Sequence, residues 1–386
     1  MSDMDIHERF HEWAIEVAKV EINGIVAHRF EGRGLGIIAE RGFEPNEKLL
    51  TVPLSALRTI QTVPKSITSQ LPNLTTHGLL ATELCLDTSP TRSLWNAVLP
   101  SKEDFAESIP LMWDSELQNL LPEAAKELLE NQKQKLEKDW GMVKDVYGER
   151  IERIEREEFV YRWLIVNTRT FYYLDPAWKG KEKDKPARDD CMALNPFADY
   201  FNHSSTGCTV SFDTTGYTIT TPHPLQKGAE IYISYGNHSN DFLLTEYGFI
   251  MPAQTNTWDE IPLSSSILPL LSPSQTELLQ EEGFLGKYVL DKDGVCYRTQ
   301  VALRILCLPL GRWRRFVAGG DEGGRDQEVV DGYLVGILRR LRREVGEKIG
   351  AVKKLKTGLE CQREVLGRRW VQIDGLLESA IKRIEE

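Results

Sequence analysis

Two blocks of short apolar runs, near residues 22–58 and 190–236, are held apart by a long stretch of helical character, and that spacing constrains the fold more than any other feature. In IVAHRFEGRGLGIIAERGFEPNEKLLTVP, the runs Ile25-Val26, Ile37-Ile38-Ala39 and Leu49-Leu50 are separated by Gly, Pro and Asn, the pattern of short strands joined by tight turns. In the second block Val210 and Phe212 alternate, Thr214-Thr215-Gly216 turns, and Tyr217 and Ile219 alternate back. That predicts a hairpin, followed by a third strand in EIYISYG. Residues 75–165 between the blocks are helical in character. Pro122 precedes EAAKELLENQKQKLEKDWGMVKDVY, which places Leu129, Leu136, Trp140 and Val143 on one stripe.

Helices flank this arrangement. Phe10, Trp13, Ala14, Val17 and Ala18 recur at helical spacing over His7 to Val20. Beyond Pro252, Ser272-Pro273 marks a helix start and VALRILCLPLGRWRRF is apolar and basic. Residues Leu334 to Leu359 then carry one long amphipathic stripe, with Gly346 or Gly350 as candidate break points. Its RRLRR patch is expected to be a solvated helix face. KGKEKDKPARDD at 179–190 and GGDEGGRD at 319–326 are expected to be loops. The predicted class is therefore α+β: small curved sheets of short strands interrupted by a helical insert, then a helical domain.

The chain of 386 residues, with formal net charge −11, is long enough for two or three domains. Its first residues carry charge early and lack the apolar core of a secretion signal, and no apolar run approaches the roughly 18 residues of a membrane span. Six cysteines without a close pair argue against a zinc cluster or disulfide scaffold and suit a reducing, intracellular setting. The charge is uneven. Residues 301–386 hold 18 Lys+Arg against 13 Asp+Glu, a net of +5, which leaves −16 for residues 1–300. An acidic front repels nucleic acid and can attract a basic protein, although solubility explains it equally well.

Three stretches carry candidate chemistry. GRGLG at 32–36 lacks both the GxGxxG spacing and the GxxxxGK[ST] lysine, so dinucleotide and P-loop readings fail. It remains a glycine turn whose backbone can approach another group closely. ADYFNHSS at 198–205 places Asn202, His203, Ser204 and Ser205 directly after an apolar pair. His203 has no second ligand at metal spacing, so a metal is not expected. IYISYGNHSNDFLLTEYGF at 231–249 sets Tyr232, Tyr235, Tyr247 and Phe249 among polar residues. Tyrosines in that number exceed what packing needs and suit a narrow aromatic channel for a long amine side chain.

In this order the stretches resemble the SET-domain methyltransferases, in the branch first known from Rubisco large-subunit and ribosomal-protein lysine methyltransferases. EGRGLGIIAERGFEPNEKLLTVP is similar to the opening segment, with Asn46 before Glu47 where the family often has Gly-Glu. SLWNAVLPS at 93–101 resembles a W-x-x-Y-x-x-x-L-P motif but lacks its tyrosine, and RWLIVNTRTF at 162–171 resembles W-A-x-x-x-V-x-S-R-x-F. LNPFADYFNHSS matches L-x-P-x-x-D-x-x-N-H, and EIYISYGNHSNDFLLTEYGF matches E-I-x-x-x-Y-G-x-x-S-N-x-x-L-L-x-x-Y-G-F. No cysteine-rich segment follows YGF, and residues 255–386 loosely resemble the helical substrate-binding domain of this branch.

The resemblance implies an N-terminal helix (1–20) and a SET domain (21–250). The latter would comprise an N-terminal part (21–60), a helical insert (61–165) and a catalytic core with a knot-like threading (166–250), followed by an all-helical domain (255–386). It implies S-adenosylmethionine as cofactor. Arg33, Gly34 and Leu35 would lie along its methionine and ribose, and Arg169 would pair with its carboxylate. Asp199 would support the pocket, Asn202 and His203 would hold the cofactor, and Phe249 would face the adenine. Tyr235 would assist the transfer, and Tyr247 would line the lysine channel. Tyr232 is expected either there or in core packing. The implied activity is lysine methylation of a ribosomal protein or translation factor, by a cytoplasmic or nuclear monomer without direct contact to nucleic acid or membrane. Histone methylation and a catalytically inactive binding module are the alternatives.

Overall fold

The computed structural model describes residues 5–31, 34–149, 153–176, 178–180, 187–320 and 323–386. They form two compact units, residues 1–106 with 130–237 and residues 107–129 with 238–386. These units follow packing, whereas the boundaries drawn from the family resemblance follow sequence likeness.

The first unit is built on a seven-stranded sheet. Its strands are β1 (Glu21–Ile22), β2 (Ile25–Phe30), β3 (Gly34–Ala39) and β4 (Lys48–Pro53), then β7 (Asn202–Phe212), β8 (Gly216–Thr220) and β9 (Glu230–Ile233). A separate ribbon pairs β5 (Thr170–Tyr172) with β6 (Met192–Leu194). The sheet order is β1-β4-β8-β7-β9-β3-β2, so both sequence blocks contribute to it. The hairpin β7–β8 forms with Phe212 opposite Tyr217, as the alternation around Thr214-Thr215-Gly216 predicts. The third strand departs from a simple meander. β9 lies parallel to β7 and antiparallel to β3. β7 meets Ile233 twice, through His203 and again through Cys208, so residues 204–207 bulge from the ladder.

Around the sheet, the helix Ile6–Glu16 buries Phe10 and Ala14. The helix Arg156–Arg169 buries Trp163 and its apolar neighbours and delivers Arg169 at its C-terminus. The long helix Glu123–Tyr147 starts directly after Pro122 and buries Leu129, Leu136 and Val143, as its stripe requires.

Among its described residues the second unit is helical apart from the two-stranded ribbon of β10 (Glu260–Pro262) with β11 (Val289–Asp291), which amends an all-helical expectation. Its core gathers Trp113, Leu117, Leu244, Trp313, Leu338, Leu366 and Trp370 among others. Ser272 caps the helix Pro273–Glu281 in a capping box with Gln275. The apolar-basic segment is two helices, Tyr297–Cys307 and Leu310–Val317, divided at Pro309. The long stripe is also two helices. Gln327–Lys354 runs unbroken through Gly346 and Gly350, and the chain turns at Gly358 (φ +79°) before Glu360–Glu385. Among the described residues, no helix is long and apolar enough to cross a membrane.

Candidate active site

In the first unit the glycine turn and the Asn-His segment meet. Asn202 opens β7, and its Nδ2 donates to the carbonyl of Leu35 at 3.1 Å and to Glu230 Oε1 at 2.9 Å. This explains Gly36. A Cβ there would lie 2.6 Å from Asn202 Nδ2 and 3.0 Å from Glu230 Oε1, so any larger residue would have to displace the pair. Gly34 adopts φ +81°, a conformation glycine takes without strain. The other carboxylate oxygen of Glu230 accepts the hydroxyl of Tyr232. Leu35, Asn202, Glu230 and Tyr232 thus form one hydrogen-bonded chain, and Glu230 is the member that sequence reasoning missed. It was visible as the first letter of EIYISYG.

His203 and Tyr235 form the second grouping. The main-chain N–H of Tyr235 donates to His203 Nδ1 at 3.0 Å, so that nitrogen carries no proton. The two rings lie 5.1 Å apart. The Tyr235 hydroxyl donates to the carbonyl of Phe201 at 2.7 Å. Withdrawal of this hydroxyl from water pushes its pKa up to about 12, against the opposing pull of Arg169. At neutral pH it is a phenol that has committed its proton to a carbonyl.

Arg169 and Asp199 are the third grouping. Arg169 Nη1 donates to the main-chain carbonyl of Asp199 at 2.7 Å. The Asp199 carboxyl is raised to about 6 by burial, which Arg169 only partly offsets. Its Oδ1 is buried and has no hydrogen-bond partner among the described residues. A buried acceptor of this kind beside a guanidinium suits a ligand carrying both a cationic and an anionic group.

The N-terminal helix steadies this segment from behind. His7 Nδ1 and the Tyr200 hydroxyl are 2.8 Å apart, and Phe10 packs against both Phe197 and Tyr200. Phe197 takes φ +67°, an uncommon conformation for a bulky side chain, and Phe10, His11 and Tyr200 surround its ring.

Tyr247 and Phe249 belong to the second unit. The helix Asn240–Tyr247 is capped by Ser239 at its start and by left-handed Gly248 at its end, which sets Tyr247 in its last turn. The Tyr247 ring lies 6.4 Å from Phe242 and 6.4 Å from Phe249. Arg33 lies outside the described residues. Among the described residues, no cluster of His, Cys, Asp or Glu could hold a metal ion.

Residues 259–383 match the family described as the Ribosomal lysine N-methyltransferase 2 C-terminal domain. Over the longer chain there is 27% identity to Ribosomal lysine N-methyltransferase set11 of Schizosaccharomyces pombe, covering 84% of each protein. SET domain-containing protein 4 of Mus musculus is 25% identical over 90% of this chain and 84% of its own. Among solved structures, the SET domain of LSMT bound to MeLysine and AdoHcy superposes with a TM-score of 0.65 at 17% identity, covering 99% of this chain and 93% of that one. Rubisco LSMT bound to AdoMet superposes with a TM-score of 0.63 at 18% identity, over 99% and 93% of the two chains. The fold is therefore shared.

Proposed function

We infer that this chain, a SET-domain protein of the branch named for Rubisco large-subunit and ribosomal-protein lysine methyltransferases, is a protein-lysine N-methyltransferase that uses S-adenosylmethionine and acts on a protein of the translation apparatus. The observation that carries the reading is the unmatched, buried Oδ1 of the Asp199 carboxyl near Arg169, next to a segment whose Asn202 and His203 are already fastened in place. That donor and acceptor set fits an amino-acid zwitterion such as the methionine part of the cofactor. Arg169 offers a fork to its carboxylate, and Gly34 and Leu35 offer main-chain groups. Asn202 and His203 hold the remainder, and Arg33, Phe249 and Tyr247 are assigned cofactor, adenine and amine-channel roles from their motifs.

When bound, S-adenosylmethionine supplies an electrophilic methyl group on a sulfonium. The protein's share is to present a neutral lysine amine in line with it and to keep water from competing. Tyr235 orients that amine. Its hydroxyl proton is committed to Phe201, so its oxygen can accept an N–H and meet the charge developing on nitrogen. With its pKa raised, Tyr235 is not the base, and the lysine proton leaves to water. Tyr232, engaged with Glu230, acts through Asn202 and need not touch the amine.

A ribosomal or translation-factor substrate is supported by the C-terminal domain likeness and by the name of the yeast relative, and a cytoplasmic or nuclear site of action is part of that reading. The test is labelled methyl transfer to lysate from cells lacking this protein. One discrete band, mapped by mass spectrometry to a lysine of the translation apparatus, is expected. Labelling confined to histones would refute the substrate assignment.

A further inference from the structure

The segment that carries Tyr247 and Phe249 is tied at both ends. Asn240 Oδ1 accepts from the Met251 main-chain N–H at 3.1 Å, which closes residues 240–251 into a loop. Gln372, on the final helix, grips both ends of that loop. Its Oε1 accepts from Asn240 Nδ2 at 2.9 Å, and its Nε2 donates to the carbonyl of Met251 at 2.8 Å. One turn earlier on the same helix stands Arg369, fully buried. Its Nε donates to Asp241 Oδ1 and its Nη1 to Asp259 Oδ2, each at 2.7 Å. Asp259 Oδ1 in turn accepts the main-chain N–H of Asn240 at 3.0 Å, and Asn256 Nδ2 donates to Asn240 Oδ1 at 3.0 Å. Burial opposes the charge on Arg369, but the two carboxylates more than offset it and hold the guanidinium protonated.

We propose that Gln372 and Arg369 are positioning residues for methyl transfer, through which the final helix sets the placement of Tyr247 and Phe249. The inference rests on the reading that those two aromatics line the site. An eight-residue helix does not hold its own conformation in water, so its position comes from what fastens it. Buried ion pairs add little net stability over apolar packing, whereas hydrogen bonds at both ends of a loop select one register. Neither Gln372 nor Arg369 belongs to the SET motifs, since both lie more than a hundred residues beyond YGF.

The experiment uses the full-length protein carrying 3-fluorotyrosine at position 247, with Gln372→Met compared to the parent. Met keeps the length and helix propensity of Gln, removes both hydrogen bonds to the loop together with the 3.4 Å bond from Arg369 Nη1 to Gln372 Oε1, and leaves both Arg369–carboxylate pairs in place. The fluorine resonance is expected to move or split, and kcat to fall roughly ten- to hundredfold. KM for S-adenosylmethionine should rise as kcat falls, because Phe249 sits on the same loop, and Tm should fall modestly as the Asn240 amide and the Met251 carbonyl lose a partner. Arg369→Lys, which keeps the charge but not the fork, should move the same resonance in the same direction. An unmoved resonance in both variants overturns the proposal, and so does a moved resonance with unchanged kcat. Failure of the underlying reading is distinguishable, because it shows in the parent as absence of cofactor binding and of methyl transfer.

Discussion

Each unit sets a buried aspartate near an arginine, and uses the pair in opposite ways. In the second unit Arg369 gives its Nε to Asp241 and its Nη1 to Asp259, so each carboxylate takes a charged donor at 2.7 Å, while Nη2 is buried without a hydrogen-bond partner among the described residues. In the first unit Arg169 gives its Nη1 to the main-chain carbonyl of Asp199 and leaves the carboxyl oxygen Oδ1 unmatched. In the second unit both carboxylates take a charged donor and the leftover atom, Arg369 Nη2, is a buried donor; in the first unit the leftover atom is a carboxylate oxygen. An unmatched one destabilises the protein until something else satisfies it, and such cost is usually retained where a ligand is received. Chemically similar pairs are thus separated into scaffold and site by where the hydrogen bonds go.

That contrast can be broken from either side. The largest effect is expected from Arg369→Met, which leaves two buried carboxylates without their cation. Urea unfolding should report a loss of about 3–5 kcal/mol. Arg169→Met should lower stability by about 1–3 kcal/mol, since the Asp199 carbonyl loses its donor, and calorimetry should show S-adenosylmethionine affinity weakened by about 1.5–3 kcal/mol, the value of a hydrogen bond to a charged group. Asp199→Asn should make the ligand-free protein more stable at pH 7, by on the order of 1–3 kcal/mol. The sign follows from its raised pKa. Between an ordinary 3.8 and about 6 the folded protein binds more protons than the unfolded chain, so this residue's contribution is present at low pH and is lost as pH rises through about 6. The amide stays neutral throughout, so the Tm difference between variant and parent should grow over that window and then level off. Glu230→Gln should have the smallest effect, weakening cofactor binding by about 1 kcal/mol through a less firmly held Asn202.

The candidate site residues were easier to single out than their scaffold. Asn202, His203 and Tyr235 stood out as polar groups beside apolar runs, and their assigned roles came from the motif resemblance. Arg369 and Gln372 gave no such signal. On a charged helix a buried arginine has the same spacing as a solvated one, and only the partners Asp241 and Asp259, over a hundred residues away, reveal it. The pairing of β9 was hidden for a related reason, since alternation identifies a strand but not its neighbour, and a parallel partner requires a crossover that periodicity does not record. The two final helices merged because Leu355 and Leu359 continue the apolar stripe across the Gly358 turn. Gly346 and Gly350, the suspected breaks, face open space and interrupt nothing.

The most direct test of the whole account is single-turnover methyl transfer to the identified lysine by Tyr235→Phe. This variant keeps the ring and removes only the hydroxyl that bonds Phe201. The account predicts a transfer rate lower by about a hundredfold, with cofactor affinity within about threefold of the parent and the pH dependence still set by the lysine. Transfer at the parental rate would contradict it, because the amine would then be aligned without the Tyr235 hydroxyl.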